Sequence, residues 1–136
     1  MTSRLDPFTL TPVLSARPWG GRRLEEYGKE LPDGVLIGES WEVADLPDHV
    51  VPYIDDPRSR VASGPLAGWA LADVIDKHGE ELLGPIPPTD EGRFPLLVKL
   101  LDAAQHLSVQ VHPHEGYVAE HPGARLKAES WYVMEA

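Results

Sequence analysis

Residues able to do chemistry together lie in the last third of the chain. Leu107-Ser108-Val109-Gln110-Val111-His112 alternates apolar and polar residues without a break. Side chains alternate across a β-strand, so Ser108, Gln110 and His112 are expected on one face and Leu107, Val109 and Val111 on the other. The aliphatic face calls for a core, while a face of Ser, Gln and His suits a lined pocket better than a solvated surface. Further on, Lys127, Glu129 and Trp131 share one face of a second extended run, Glu129 to Met134. The His112 imidazole, the Glu129 carboxylate and the Gln110 amide oxygen are suitable donors for Zn²⁺. Three protein ligands leave a coordination position open, as a catalytic metal requires. Lys99 stands in the apolar stretch Phe94 to Leu101, where its ammonium must reach water, a partner or a ligand.

Each of these residues also has a plainer reading. His112, just before Pro113, suits a hydrogen-bonded strand histidine, Glu129 a solvated strand residue, and Lys99 a side chain reaching water from a barrel end. His106, His114 and His121 read as exposed loop residues. Trp19, Trp41, Trp69 and Trp131 read as core or rim aromatics. On residue types and spacing alone, the chain is a β-rich domain with a candidate metal pocket.

The elements that must position these residues are short. Phe8 to Leu14, Ser40 to Ala44, Arg60 to Ser63, Phe94 to Leu101, Leu107 to His112 and Glu129 to Met134 read as strands, with Val50 to Ile54 a further candidate interrupted by Pro52. Phe94 to Leu101 is apolar enough to be covered on both faces. Pro18-Trp19-Gly20-Gly21 reads as a turn, Arg22 to Tyr27 as a short helix stopped by Gly28, and Leu31 to Val35 as a loop. Gly64 to Gly68 turns into a helix over about Ala70 to His78, with Leu71, Val74 and Ile75 at helical spacing and Gly79 as its end. Pro85 to Gly92 is an exposed loop. Glu115 to His121 is a short helical or irregular link.

The 136 residues suit one domain, and 42% hydrophobic content supports a core. Fourteen prolines and twelve glycines favour short strands and loops over a helical bundle. The absence of cysteine excludes disulfides, thiolate metal sites and cysteine nucleophiles. A net charge of −10 disfavours nucleic acid and anionic membranes, so an anionic small molecule would need a local cluster of Lys and Arg. The first residues, Met1 to Asp6, lack the apolar core of a signal peptide, and no apolar run is long enough to span a membrane. A soluble cytoplasmic protein is the expectation; nothing bears on its oligomeric state.

Phe94-Pro95-Leu96-Leu97-Val98-Lys99, Leu107-Ser108-Val109-Gln110-Val111-His112-Pro113 and Lys127-Ala128-Glu129-Ser130-Trp131-Tyr132-Val133 together resemble type I phosphomannose isomerase in order and spacing. Pro18-Trp19-Gly20-Gly21 and Ile37-Gly38-Glu39-Ser40-Trp41-Glu42 resemble its N-terminal signatures, and Gly64-Pro65-Leu66-Ala67-Gly68 its connecting turn. The likeness runs from about residue 7 to the end. It implies a mainly β, cupin-like jelly-roll barrel with one or two short helices. It also implies a zinc enzyme, one Zn²⁺ per chain, that interconverts mannose 6-phosphate and fructose 6-phosphate through a cis-enediol in mannose and GDP-mannose metabolism. The partner implied is a small sugar phosphate. Carried over by position, Gln110, His112 and Glu129 match metal ligands and Lys127 a lysine of proton transfer or substrate binding. Lys99 and Ser108 match residues near the sugar phosphate, and Trp19 and Glu39 match cleft positions.

Two departures accompany the likeness. The family's fourth ligand, a histidine, and a catalytic arginine belong to a later stretch that these residues do not include. The family's Gly-Lys-Thr-Glu is here Leu126-Lys127-Ala128-Glu129. The chain also stops at Ala136 while still reading as strand, so the expectation is an N-terminal portion with an incomplete barrel. The alternative function is then a catalytically incomplete module that binds metal or sugar phosphate. A different cupin chemistry, an iron oxygenase with two histidines and a carboxylate, would need a second inward histidine; His114, past Pro113, is expected to point elsewhere.

Overall fold

Ile37–Val43 is the strand around which the N-terminal elements are built, and Ile37 to Trp41 are all buried. In a computed structural model that describes residues 5–51 and 53–136, the strands are β1 (Leu10–Thr11), β2 (Val13–Gly21), β3 (Ile37–Val43), β4 (Arg60–Val61) and β5 (Val98–Leu101). The helices are α1 (Leu71–Leu83) and α2 (Glu115–Glu120), with a 3₁₀ turn at Arg23–Tyr27. The antiparallel sheet runs β2-β3-β5, and β1 pairs with β4 in a second, two-stranded sheet. The fold class is therefore mainly β, as expected. The chain divides into two units, Met1–His106 and Leu107–Ala136. The readings of Met1 to Arg4 and of Pro52 lie outside the described residues.

β3 is central, so its neighbours cover it on both sides and its two polar faces must be satisfied internally. Trp41 is 1% exposed and packs with Ala44 and Val51, flanked by Val13, Leu46 and Ile54. On the other face, Ser40 Oγ donates to Glu42 Oε1 at 2.7 Å. Ser59 ties the end of β3 to α1. Its N–H donates to the Ala44 carbonyl at 2.7 Å, its hydroxyl accepts from Ala44 N–H at 3.0 Å, and its carbonyl accepts from Leu71 N–H at 2.9 Å. Asp73 Oδ2 accepts from Ala70 N–H at 3.1 Å and closes the first turn of α1.

Several sequence expectations are corrected. Pro18-Trp19-Gly20-Gly21 is not a free turn but the end of β2, where both Ala16 and Gly21 pair with Ile37 and residues 17–20 bulge between them. A bulge keeps the chain in the sheet while spending extra residues, which is why Pro and two Gly look like a turn. The strand expected over Val50 to Ile54 is not found in its described residues: Val50 N–H donates to Pro47 and Ile54 N–H to Val51, as in turns. Helix α1 does not stop at Gly79; it kinks at His78 (φ −132°, ψ 21°) and runs on to Leu83, with Gly84 as its C-cap at positive φ (60°). Phe94 to Leu101 is strand only from Val98, and Leu96 is 63% exposed, so the stretch is an edge rather than a strand covered on both faces.

Leu107 to His112 and Glu129 to Met134 are not strands: neither carries a ladder to another described segment. Val109 and Val111, expected in a core, are 96% and 91% exposed, and Trp131 and Tyr132 are exposed as well. Alternation describes which way side chains would point; a strand exists only where a neighbour accepts its hydrogen bonds. The short helix Arg23–Tyr27 ending at Gly28 (φ 74°) and the link at Glu115–Glu120 are found where they were expected.

The bulge depends on the absence of side chains where β2 crosses β3. A Cβ on Gly20 would lie 2.5 Å from the Gly38 backbone nitrogen, and one on Gly38 would lie 2.6 Å from the Trp19 ring. Gly20→Ala is expected to destabilise the protein by about 1–3 kcal/mol, because rigid backbone must move to accept a methyl group. Urea denaturation of the variant against the parent chain checks this.

Candidate functional site

The polar residues of unit Met1–His106 converge on one carboxylate. Alternation along β3 puts Glu39 and Trp41 on the same face, and the register of β5 sets Lys99 opposite Trp41. Ser15 of β2 lies opposite Glu39, and Arg17 follows on the same side at the start of the bulge. Glu39 is 7% exposed, and both of its oxygens are engaged. Oε2 accepts from Arg17 Nη2 at 2.9 Å, Arg17 Nε at 3.2 Å and the Trp41 indole N–H at 3.1 Å. Oε1 accepts from the Lys99 ammonium at 3.2 Å. The ammonium also stands 4.8 Å from the centroid of the Trp41 ring.

Burial alone would raise the carboxyl pKa of Glu39, but Lys99, with Arg17 and Trp41, outweighs it and holds the group below its ordinary value. Arg17 is fixed from a second side: Nη2 donates to the Tyr53 hydroxyl at 3.0 Å, and the guanidinium lies 4.4 Å from the Tyr53 ring centroid. Arg17 and Tyr53 are partners the sequence reading did not find. The signal was available, since Arg17 is two residues from Ser15, but reading Pro18 to Gly21 as a turn removed Arg17 from any strand. Trp19 is held by its neighbours in the bulge: its carbonyl accepts from Gln105 N–H at 3.2 Å and its ring covers Gly38.

The expected metal donors lie in unit Leu107–Ala136. His112 Nε2 is 3.2 Å from Glu129 Oε2, and Lys127 Nζ is 3.0 Å from Glu129 Oε1. Two of the sequence-predicted residues, His112 and Lys127, are therefore brought to the carboxylate of a third, Glu129. Gln110 Nε2 donates to Ser108 Oγ at 3.2 Å, which leaves its amide oxygen as the atom with ligating character. Trp131 is 60% exposed. His114 has a different partner: its Nδ1 accepts from Tyr117 N–H at 3.3 Å at the start of α2. His121 stacks on Tyr117 with ring centroids 3.8 Å apart.

Two of the expected donors, His112 and Glu129, stand at a spacing that suits a zinc ion of the kind the resemblance implies. Ligands about 2.0–2.2 Å from a tetrahedral zinc lie about 3.3 Å from one another. The separation of His112 Nε2 and Glu129 Oε2, 3.2 Å, is close to that spacing. No group of three or more His, Cys, Asp or Glu suited to a metal exists among the described residues. No helix among the described residues is long and apolar enough to cross a membrane.

Comparison with known proteins gives a consistent family. The model for the phosphomannose isomerase type I catalytic domain matches residues 8–133. The chain is 36% identical over 131 residues to mannose-6-phosphate isomerase ManA of Bacillus subtilis, covering 96% of this chain and 38% of that protein. It is 37% identical over 132 residues to mannose-6-phosphate isomerase of Streptococcus mutans, again covering 96% and 38%. The crystal structure of the mannose 6-phosphate isomerase from Bacillus subtilis superposes with a TM-score of 0.69 at 33% identity, over 90% of this chain and 35% of that one. The chain thus spans about 38% of the length of the curated relatives it matches.

The depressed pKa of Glu39 makes a signed prediction. Its charged form is favoured in the folded state, so its stabilisation is present above the unfolded carboxyl pKa, near 4.3, and is lost as pH falls through the lower folded value. Glu39→Gln is expected to cost about 1–3 kcal/mol at pH 7. The gap between variant and parent should narrow steadily below about pH 4. Urea unfolding across pH 3–7 measures both curves; a gap that widens in acid contradicts the assignment.

Proposed function

Because this chain belongs to the type I phosphomannose isomerase family, we propose that it is the metal-binding N-terminal portion of a zinc-dependent aldose–ketose isomerase. The substrates are mannose 6-phosphate and fructose 6-phosphate, and one Zn²⁺ per chain is held by Gln110, His112 and Glu129. The observation that carries the metal assignment is the approach of His112 Nε2 to Glu129 Oε2 at 3.2 Å, from positions 17 residues apart. Two such groups side by side suit either a hydrogen bond or a shared cation, and the family favours the cation. The same reading puts the protein in mannose and GDP-mannose metabolism in the cytoplasm.

The reaction moves a proton between C1 and C2 of the sugar through a cis-enediol. The carbon acid is weak, and bound zinc supplies Lewis-acid stabilisation of the negative charge that develops on the sugar oxygens. Lys127 is assigned to proton transfer or to binding a sugar oxygen. It is half exposed, and Glu129 orients its ammonium at 3.0 Å, so the nitrogen sits beside the donors and still reaches solvent. Glu129 then has two tasks, one oxygen toward His112 and the other toward Lys127. Ser108 accepts from the Gln110 amide nitrogen, so the carbonyl oxygen is the atom of that side chain assigned as a donor to the metal. Lys99 and Ser108 are assigned to the phosphate or a sugar hydroxyl. Trp19 and Glu39 are assigned to the cleft, with Glu39 acting through the ammonium it holds.

The share of the relatives' length that the chain spans favours a second reading for these 136 residues by themselves: a module that binds metal and sugar phosphate without turnover. Metal analysis after dialysis, run beside a coupled assay of fructose 6-phosphate conversion, separates the two. Both readings expect about one zinc per chain and a loss of at least tenfold in zinc affinity in His112→Ala. Turnover that disappears in His112→Ala supports the isomerase, and zinc binding without turnover supports the module. A chain that takes up no zinc refutes both.

A further inference from the structure

Glu39 is shared by two cations of opposite chain origin, Arg17 on one oxygen and Lys99 on the other. Counting charges, Arg17 (+1), Glu39 (−1) and Lys99 (+1) leave the cluster at +1, in a chain whose net charge is −10. Arg17 makes two N–H bonds to Oε2 and is held in place by Tyr53, whereas Lys99 makes one bond to Oε1 and has further N–H donors. The side chain of Lys99 remains 25% exposed. We propose that Arg17 is a positioning residue that neutralises Glu39 and so leaves the Lys99 ammonium with a net positive charge to offer a phosphate monoester. The inference deepens the assignment of Lys99 to the sugar phosphate and rests on it.

The physical reasoning is a competition for one ammonium. A buried carboxylate demands a counter-charge. With Arg17 present that demand is met at Oε2, where Trp41 N–H assists. Without Arg17, Lys99 becomes the sole counter-ion of Glu39, the pair is neutral, and an incoming phosphate meets no net charge. Arg17 therefore acts on the ligand through Glu39 and Lys99 rather than by touching it.

Isothermal titration of the 136-residue chain with inorganic phosphate and with fructose 6-phosphate, at low salt, tests the charge count in four proteins. Arg17→Gln brings the cluster to zero and is expected to weaken both ligands roughly three- to tenfold. Glu39→Gln brings it to +2 and is expected to tighten them. Arg17→Gln/Glu39→Gln returns it to +1 and is expected to bind within about twofold of the parent, although it lacks more native contacts than either single variant. A purely structural role for Arg17 predicts no such rescue. The proposal is overturned if Arg17→Gln binds like the parent, if the double variant binds no better than Arg17→Gln, or if the parent binds no phosphate. Should Arg17→Gln fail to fold, Glu39→Gln decides: tighter binding supports the charge count and weaker binding overturns it. Phosphate binding that follows this order in a chain without isomerase turnover would count against the isomerase reading while leaving the role of Arg17 intact.

Discussion

A carboxylate buried in the central strand of a three-stranded sheet imposes the main constraint on this fold. Glu39 is nearly inaccessible, and an ionised group there is tolerated only if donors surround it. The donors come from every strand of the sheet: Arg17 from β2, Trp41 from β3 itself and Lys99 from β5. Satisfying one charge therefore fixes the register of three strands against one another. It also recruits the 47–57 segment, because Tyr53 holds the far side of the Arg17 guanidinium.

The same constraint accounts for the irregularity of β2. Arg17 must face Glu39, while the following residues cross β3 so closely that neither Gly20 nor Gly38 has room for a side chain. A bulge of residues 17–20 reconciles the two demands. Asp102 finishes the arrangement at the far end. Buried itself, it accepts from Arg23 N–H at 2.7 Å and donates its own N–H to the Gly38 carbonyl at 2.9 Å, pinning the first 3₁₀ turn to the exit of β5. A third buried carboxylate, Asp45, behaves differently. It accepts from Phe94 N–H at 2.9 Å, but Arg93 stands 3.6 Å from its other oxygen, and burial pushes its pKa up. Glu39 and Asp45 thus have opposite electrostatic characters, set by whether cations reach hydrogen-bonding distance.

In the unit Leu107–Ala136 the organising group is again a carboxylate, but a half-exposed one. Glu129 stands between an imidazole and an ammonium. Its two oxygens are each engaged by a different side chain, and all three groups keep access to solvent. The contrast with Glu39 is one of burial: a largely buried acid needs its counter-charges in place, whereas a half-solvated acid shares that task with water.

The amino-acid sequence by itself determined the chemistry available and the family. The string Leu107 to Pro113 and the Lys127–Glu129 pair carry the likeness to the type I phosphomannose isomerases, and the β-rich class follows from short alternating runs between Pro and Gly. The turn at Gly64, the helix carrying Leu71, Val74 and Ile75, and the Gly28 stop were equally legible, because each depends on residues close in sequence. Tertiary structure alone decided which polar groups meet. Arg17 and Glu39 are 22 residues apart and Glu39 and Lys99 are 60 apart, distances over which no local pattern speaks. It also decided where alternation becomes a strand: Val98 to Leu101 has β3 to pair with, whereas Leu107 to His112 has the pattern and no ladder. Side-chain order along a chain is a local property, but a hydrogen-bonded sheet and a neutralised buried charge each require a partner that only the folded chain supplies.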